Sequence, residues 1–163
     1  MLKILFPLLC LALLIDYARR FIKPLNELVN KSLGQIMRDE EKDQKVLTGA
    51  TYMLMASVLA IFFFSKEVAI FALTVLIISD ATAALVGKRF GRIRFFDKSL
   101  EGSISFAVSA ILVYYFYVEI FYFSLPLGKS ILVIMVATIV ELFAKKLRLD
   151  DNLAIPLVIG ILL

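Results

Sequence analysis

Two long apolar runs, residues 47–64 and 68–86, are separated only by Ser65, Lys66 and Glu67. Each is about long enough to cross the hydrocarbon core of a bilayer as a helix. No water is available there to satisfy backbone N–H and C=O groups, so each run must bond within itself, and the three-residue link forces a tight helical hairpin. Further apolar runs occupy residues 1–15, 104–123 and 131–144, and a last one, 153–163, covers only about 17 Å as a helix. Residues 1–15 lack a small-residue cleavage site and read as a retained span rather than a signal peptide. With 61% hydrophobic residues and a mean hydropathy of +0.93, the chain is too apolar for a water-soluble domain. The expected fold is all-α: one domain over residues 1–163, a polytopic membrane helix bundle of five spans plus a short C-terminal half-span.

The basic residues give that bundle a direction. The first, third and fifth loops carry seven, five and three of them, against one each in the second and fourth (Lys66 and Lys129). The positive-inside rule then puts the odd loops in the cytoplasm and the N-terminus outside. Every candidate polar motif falls on that cytoplasmic side. From Phe21, apolar residues recur at Leu25, Leu28, Val29, Leu33, Ile36 and Met37, which suits an interfacial amphipathic helix after the first span. Asn26, Asn30, Arg38 and Glu41 are its candidate site lining. The single Cys10 excludes an internal disulfide, and the absence of histidine excludes zinc-peptidase motifs and imidazole acid/base chemistry. Carboxylates and basic groups must carry any chemistry, and no nucleic-acid partner is expected.

The densest chemistry lies between Asp80 and Ser103. Asp80 can offer oxygens to Mg²⁺, which binds through one or two carboxylates plus substrate phosphates. It shares a helix face with Ala83, Ala84 and Gly87, small residues that let helices approach, so it should point into the bundle. Gly87 and Gly91 leave the backbone accessible to a ligand. Lys88, Arg89 and Lys98 can neutralise a polyphosphate. Ser99 sits where a helix begins, and its hydroxyl could cap that helix or face an anion. The same basic residues also serve as topology determinants, and Glu101 in a first helical turn is favourable without any ligand. Neither the G-x-x-x-x-G-K-[ST] phosphate loop nor the G-x-G-x-x-G pattern is present.

Two more polar groups follow. Thr138, Glu141 and Lys145 share one face of the fifth run, where Glu141 is either a surface i, i+4 partner of Lys145 or a functional acid at membrane depth. Asp150, Asp151 and Asn152 precede the last run, more than an N-cap needs.

Taken in order, these segments resemble the family of dolichol kinases, phytol kinases and CTP-dependent diacylglycerol kinases. The acid-led G-K-x-x-G segment reads Asp80, then Gly87, Lys88, Arg89, Phe90, Gly91. K-S-x-E-G reads Lys98, Ser99, Leu100, Glu101, Gly102, and D-N-x-x-I-P reads Asp151 to Pro156. Asp16, Arg19 and Arg20 represent the early acidic and arginine-rich element, and Glu141 fits the acid upstream of D-N. The resemblance implies transfer of the γ-phosphoryl group of CTP to a lipid alcohol with Mg²⁺. Asp80 with Glu101 or Asp151 would bind the metal. Arg19, Arg20, Gly87, Lys88, Arg89, Gly91, Lys98, Ser99, Gly102 and Asn152 would hold nucleotide and phosphates, and Asp151 or Glu141 would orient or deprotonate the alcohol. The expected partners are the lipid alcohol, CTP and membrane lipids, with a homodimer compatible with so small a bundle. A membrane cytidylyltransferase uses similar groups, and an ion or proton transporter could use Asp80 and Glu141 as a relay.

Overall fold

The computed structural model describes residues 1–34, 37, 46–95, 98–144, 146 and 149–163. The chain divides into two compact units, Met1–Val58 and Leu59–Leu163.

In the first unit, α1 (Leu2–Ala18) is apolar all round and α2 (Lys23–Leu33) is strongly one-sided, as the interfacial helix was expected to be. Pro24 suits the start of α2, because the first N–H groups of a helix have no internal partner. Helix α2 ends at Leu33 with Gly34 as its C-cap, and Ile36, Arg38 and Glu41 lie outside the described residues. Helix α3 (Gly49–Phe63) begins here, and the unit boundary falls within it.

The second unit continues with α4 (Lys66–Phe90), β1 (Arg94–Phe95), β2 (Lys98–Ser99), α5 (Leu100–Phe121), α6 (Leu127–Phe143) and α7 (Asp151–Leu162). Ser65 caps α4, and Lys88 and Arg89 fall in its last turn, where cations oppose the helix dipole. Helices α4 and α5 run antiparallel, as hydrogen bonds from Thr74 to Tyr117 and from Thr82 to Ser109 show. Their contact extends to Gly87 and Gly102. Helix α7 packs on α4 and α6, and α6 also touches α5. Phe71, Val75, Phe106, Ile134, Ile155 and Ile159 form the core between them.

Burial is inverted relative to a water-soluble protein. Glu141 and Asp151 are 1% and 4% exposed, whereas Leu85 and Leu112 are 70% and 65% exposed. Apolar side chains facing outward over this much surface call for an apolar surrounding, and the chain is membrane-associated. Of the five expected spans, α4 at 25 residues and α5 at 22 are long and apolar enough to cross a membrane. Helices α1 and α6, at 17 residues each, reach about 25 Å against a core of roughly 30 Å. The last apolar run lies in the 12-residue α7, which starts at Asp151 and ends at Leu162, with Leu163 as its C-cap; it is too short for a full span, as expected. The all-α expectation holds except for the antiparallel β1–β2 pair, with Arg94 opposite Ser99 and Phe95 opposite Lys98.

The α4–α5 crossing depends on a missing side chain. A Cβ at Gly102 would lie 2.9 Å from the Ala83 carbonyl oxygen and 3.4 Å from Gly87 Cα. Backbone cannot yield as a flexible side chain would. Gly102→Ala should therefore lower stability by about 1–3 kcal/mol, the usual cost of overpacking. Gly128→Ala, with nothing within 4 Å, should be neutral or gain up to about 1 kcal/mol from helix propensity. Unfolding of the two variants in the same detergent checks the contrast.

Candidate functional site

The site in the second unit is built by the break between α4 and α5. Helix α4 ends at Gly91, and the chain returns through the short strand pair to Ser99, whose hydroxyl accepts from Gly102 N–H at 3.1 Å and caps α5. Gly87, Gly91 and Gly102 all lie against the Ser99 side chain. The glycines thus let the turn close tightly over its own cap. Glu101 accepts from the backbone N–H groups of Arg92 and Ile93 at 3.0 and 3.2 Å. Its carboxylate therefore fastens the entry to β1.

Lys98, fixed by β2 just before α5, carries its ammonium into a ring of acids. Nζ is 2.7 Å from Glu141 Oε1, 3.0 Å from Asp151 Oδ2 and 3.8 Å from Asp80 Oδ1. These carboxylates come from α6, α7 and α4. Glu141 also accepts from the Ser103 hydroxyl at 2.9 Å, so both of its oxygens are engaged. Asp150 caps α7 by accepting from Asn152 N–H at 3.0 Å, which sets Asp151 in the first helical turn. Burial alone would lower the pKa of the Lys98 ammonium. The charges of Asp151 and Glu141, the hydrogen bond to Glu141 and the charge of Asp80 outweigh that and hold it above the ordinary lysine range. Its stabilising contribution is complete below the ordinary lysine pKa and is lost only as pH rises through the still higher folded value.

Buried carboxylates require a cation and full hydrogen bonding, and Lys98 supplies the first. Side-chain exposure grades the three acids: Glu141 at 1%, Asp151 at 5% and Asp80 at 24%. Among the described residues, no group of three or more acidic, cysteine or histidine side chains is placed to hold a metal by protein ligands alone. Mg²⁺ takes one or two carboxylates and completes its shell with phosphate oxygens and water. Asp80, the most accessible, and Asp151 have the donor chemistry for it. Lys88 and Arg89 are exposed at the end of α4. A groove of about 510 Å³ between α4 and α5, lined by Leu85, Ile104, Val108 and Leu112 among others, lies on the side of α5 opposite Ser103. It is therefore separate from the acid cluster.

In the first unit, Asp16 and Arg19 form a buried pair, Nε to Oδ1 at 3.1 Å, with exposures of 3% and 0%. The other Asp16 oxygen accepts from Thr48 N–H, the Thr48 hydroxyl and the Thr51 hydroxyl at 2.9, 3.0 and 2.7 Å. Arg19 Nη2 donates to the Val46 carbonyl at 2.7 Å. These bonds fasten the start of α3 to the end of α1. They engage the Arg19 guanidinium, while Arg20, the next residue, is exposed. Sequence reasoning did not single out Ser103, Thr48 or Thr51. A lone hydroxyl carries no periodic signal, and only the position of Ser103, next to the K-S-x-E-G segment, hinted at a role. Lys145 lies outside the described residues, so its expected pairing with Glu141 does too.

No family model and no solved structure matches the chain. It is 34% identical over 159 residues to an uncharacterised protein of Rickettsia prowazekii, covering 94% of this chain and 76% of that one. Phytol kinase 1, chloroplastic, of Arabidopsis thaliana is 29% identical over 158 residues, covering 88% of this chain and 52% of the other. CTP-dependent diacylglycerol kinase 1 of Saccharomyces cerevisiae is 32% identical over 96 residues, covering 56% of this chain and 32% of the other. The chain thus spans about half the length of the first kinase and a third of the second.

Proposed function

Because the chain belongs to the family of the phytol kinases and the CTP-dependent diacylglycerol kinase, we propose that its 163 residues form one lipid-kinase domain. It transfers the γ-phosphoryl group of CTP to the hydroxyl of a lipid alcohol: a polyprenol, a phytol-like isoprenoid or a diacylglycerol. The observation that carries this reading is the convergence of Asp80, Glu141 and Asp151 on Lys98, with Lys88 and Arg89 exposed in the last turn of α4, the helix that carries Asp80. Phosphoryl transfer asks for positioning and charge neutralisation more than covalent catalysis, and this cluster offers both.

Lys88 and Arg89 are proposed to contact phosphates, with Gly87 and Gly91 giving the backbone close approach; Arg20, in the first unit, is proposed as a phosphate contact on its own chemistry. Asn152 and the Ser99–Gly102 turn complete the nucleotide side. Arg19, tied to Asp16, acts as a positioning residue. Asp80 and Asp151 would hold Mg²⁺, which when bound neutralises charge on the transferred group. Asp151 takes the proton of the alcohol as its oxygen bonds to the γ-phosphorus. The bond from that phosphorus to the β–γ bridging oxygen breaks, and CDP leaves. Glu141, with both oxygens engaged, holds the cluster in shape. We place the site on the cytoplasmic face of a five-span bundle with its N-terminus outside. The asymmetry of basic residues supports that orientation, and the lipid tail then remains in the bilayer.

The test is the fate of each phosphorus. Protein in detergent with Mg²⁺ is given α- or γ-labelled CTP and phytol, a polyprenol, diacylglycerol or phosphatidate. Label entering one lipid from the γ position alone, with CDP released, is the expected result. Transfer of the α-labelled group to phosphatidate with pyrophosphate release would identify a cytidylyltransferase instead.

A further inference from the structure

We propose that Lys98 is a resting counter-ion: its ammonium holds the site's carboxylates together in the empty state and exchanges them for phosphates when nucleotide binds. The proposal rests on the kinase reading and adds an order of events to it. A single ammonium lies within 3.0 Å of two nearly buried carboxylates and 3.8 Å from a third. Acids gathered this closely repel one another unless a cation stands between them. The Lys98 ammonium stands between them. It contacts the same carboxylates that would hold a divalent ion.

Lys98 is also suited to leave. Its side chain is 29% exposed, not sealed in like Glu141 at 1%. A lysine is a point charge on a flexible four-carbon stem, with no fork geometry to hold it to one partner. Its backbone is fixed in β2 against Arg94–Phe95, so the ammonium can swing while the turn and the Ser99 cap stay in place. Glu141 keeps the Ser103 hydrogen bond in either state. When Lys98 turns to a phosphate, Asp80 and Asp151 lose the charge of its ammonium, and a divalent ion can take its place. Metal and nucleotide should therefore bind with strong mutual reinforcement, and the metal alone should bind weakly. Linkage makes this coupling the same from either side.

The experiment is Mn²⁺ titration followed by electron paramagnetic resonance on the purified chain in detergent, with and without CTP and with no lipid. Lys98→Gln should bind Mn²⁺ in the absence of nucleotide roughly tenfold more tightly than the parent, and should bind CTP more weakly. Lys98→Arg, which keeps the charge, should resemble the parent in Mn²⁺ affinity. A purely structural lysine would show no gain in metal affinity, and that result overturns the proposal. Should Lys98→Gln be unstable, Mn²⁺ should restore its melting temperature while leaving Gly102→Ala unimproved; lack of that rescue also overturns it. None of these readouts requires turnover. A chain that moves no phosphoryl group but gains Mn²⁺ affinity in Lys98→Gln supports the exchange and sinks the kinase reading.

Discussion

Asp151→Asn is expected to slow phosphoryl transfer by roughly 10²–10⁴-fold, the range a positioned proton acceptor contributes. The amide keeps the shape of the carboxylate and can still accept from Lys98, which retains Glu141 at 2.7 Å as its closest partner. Folding should therefore survive, and the Asp150 cap on Asn152 is untouched. The loss should persist in the single-turnover rate at saturating Mg²⁺ and CTP, and CTP affinity should fall as well, because Asp151 would also hold the metal to which nucleotide binding is coupled. A rate within about threefold of the parent, well below that range, would make Asp151 merely a partner of Lys98 and move the base to another group.

Asp16→Ala is the second large effect, on stability rather than on chemistry. It leaves the fully buried Arg19 guanidinium without its carboxylate and strands the Thr48 and Thr51 donors that shared the other oxygen. Breaking one side of a buried pair costs about 3–5 kcal/mol, because the surviving charge stays buried. Replacing both members together, Asp16→Leu with Arg19→Met, removes that uncompensated charge and should recover a large part of the loss. Denaturant unfolding of the single and double variants measures the difference. Equal stability of Asp16→Ala and parent would mean that Arg19 finds another partner or water.

The features legible in the sequence were those that repeat or sit at an end. The apolar runs 47–64, 68–86 and 104–123 became α3, α4 and α5, and Ser99 was recognisable as the start of a helix. The small face of α4 was partly right: Ala83 is buried and Gly87 lies against Ser99 and Gly102, but Ala84 is exposed. The site residues were legible as types with suitable chemistry, whereas their partners were not. Lys98 reads as one more basic residue in a loop until α7 brings Asp151 to it across 53 positions. Likewise Ser103 and Glu141 meet across 38 positions, and Asp16 and Thr51 across 35. Such pairings are decided by how helices cross, which no local spacing encodes. Glu101 looked like a metal ligand or a helix-dipole acid, yet its backbone bonds to Arg92 and Ile93 arise from a strand pair too short to announce itself by alternation.

The most direct test of the account compares label transfer from γ-labelled CTP to phytol, a polyprenol and diacylglycerol by the parent, Asp80→Asn and Asp151→Asn, each shown to be folded by its melting curve. The account predicts transfer to one lipid by the parent and loss of it in both variants. Transfer that persists undiminished in both variants would contradict the placement of the reaction at the acids around Lys98, and no transfer by the folded parent to any of these lipids would contradict the kinase itself.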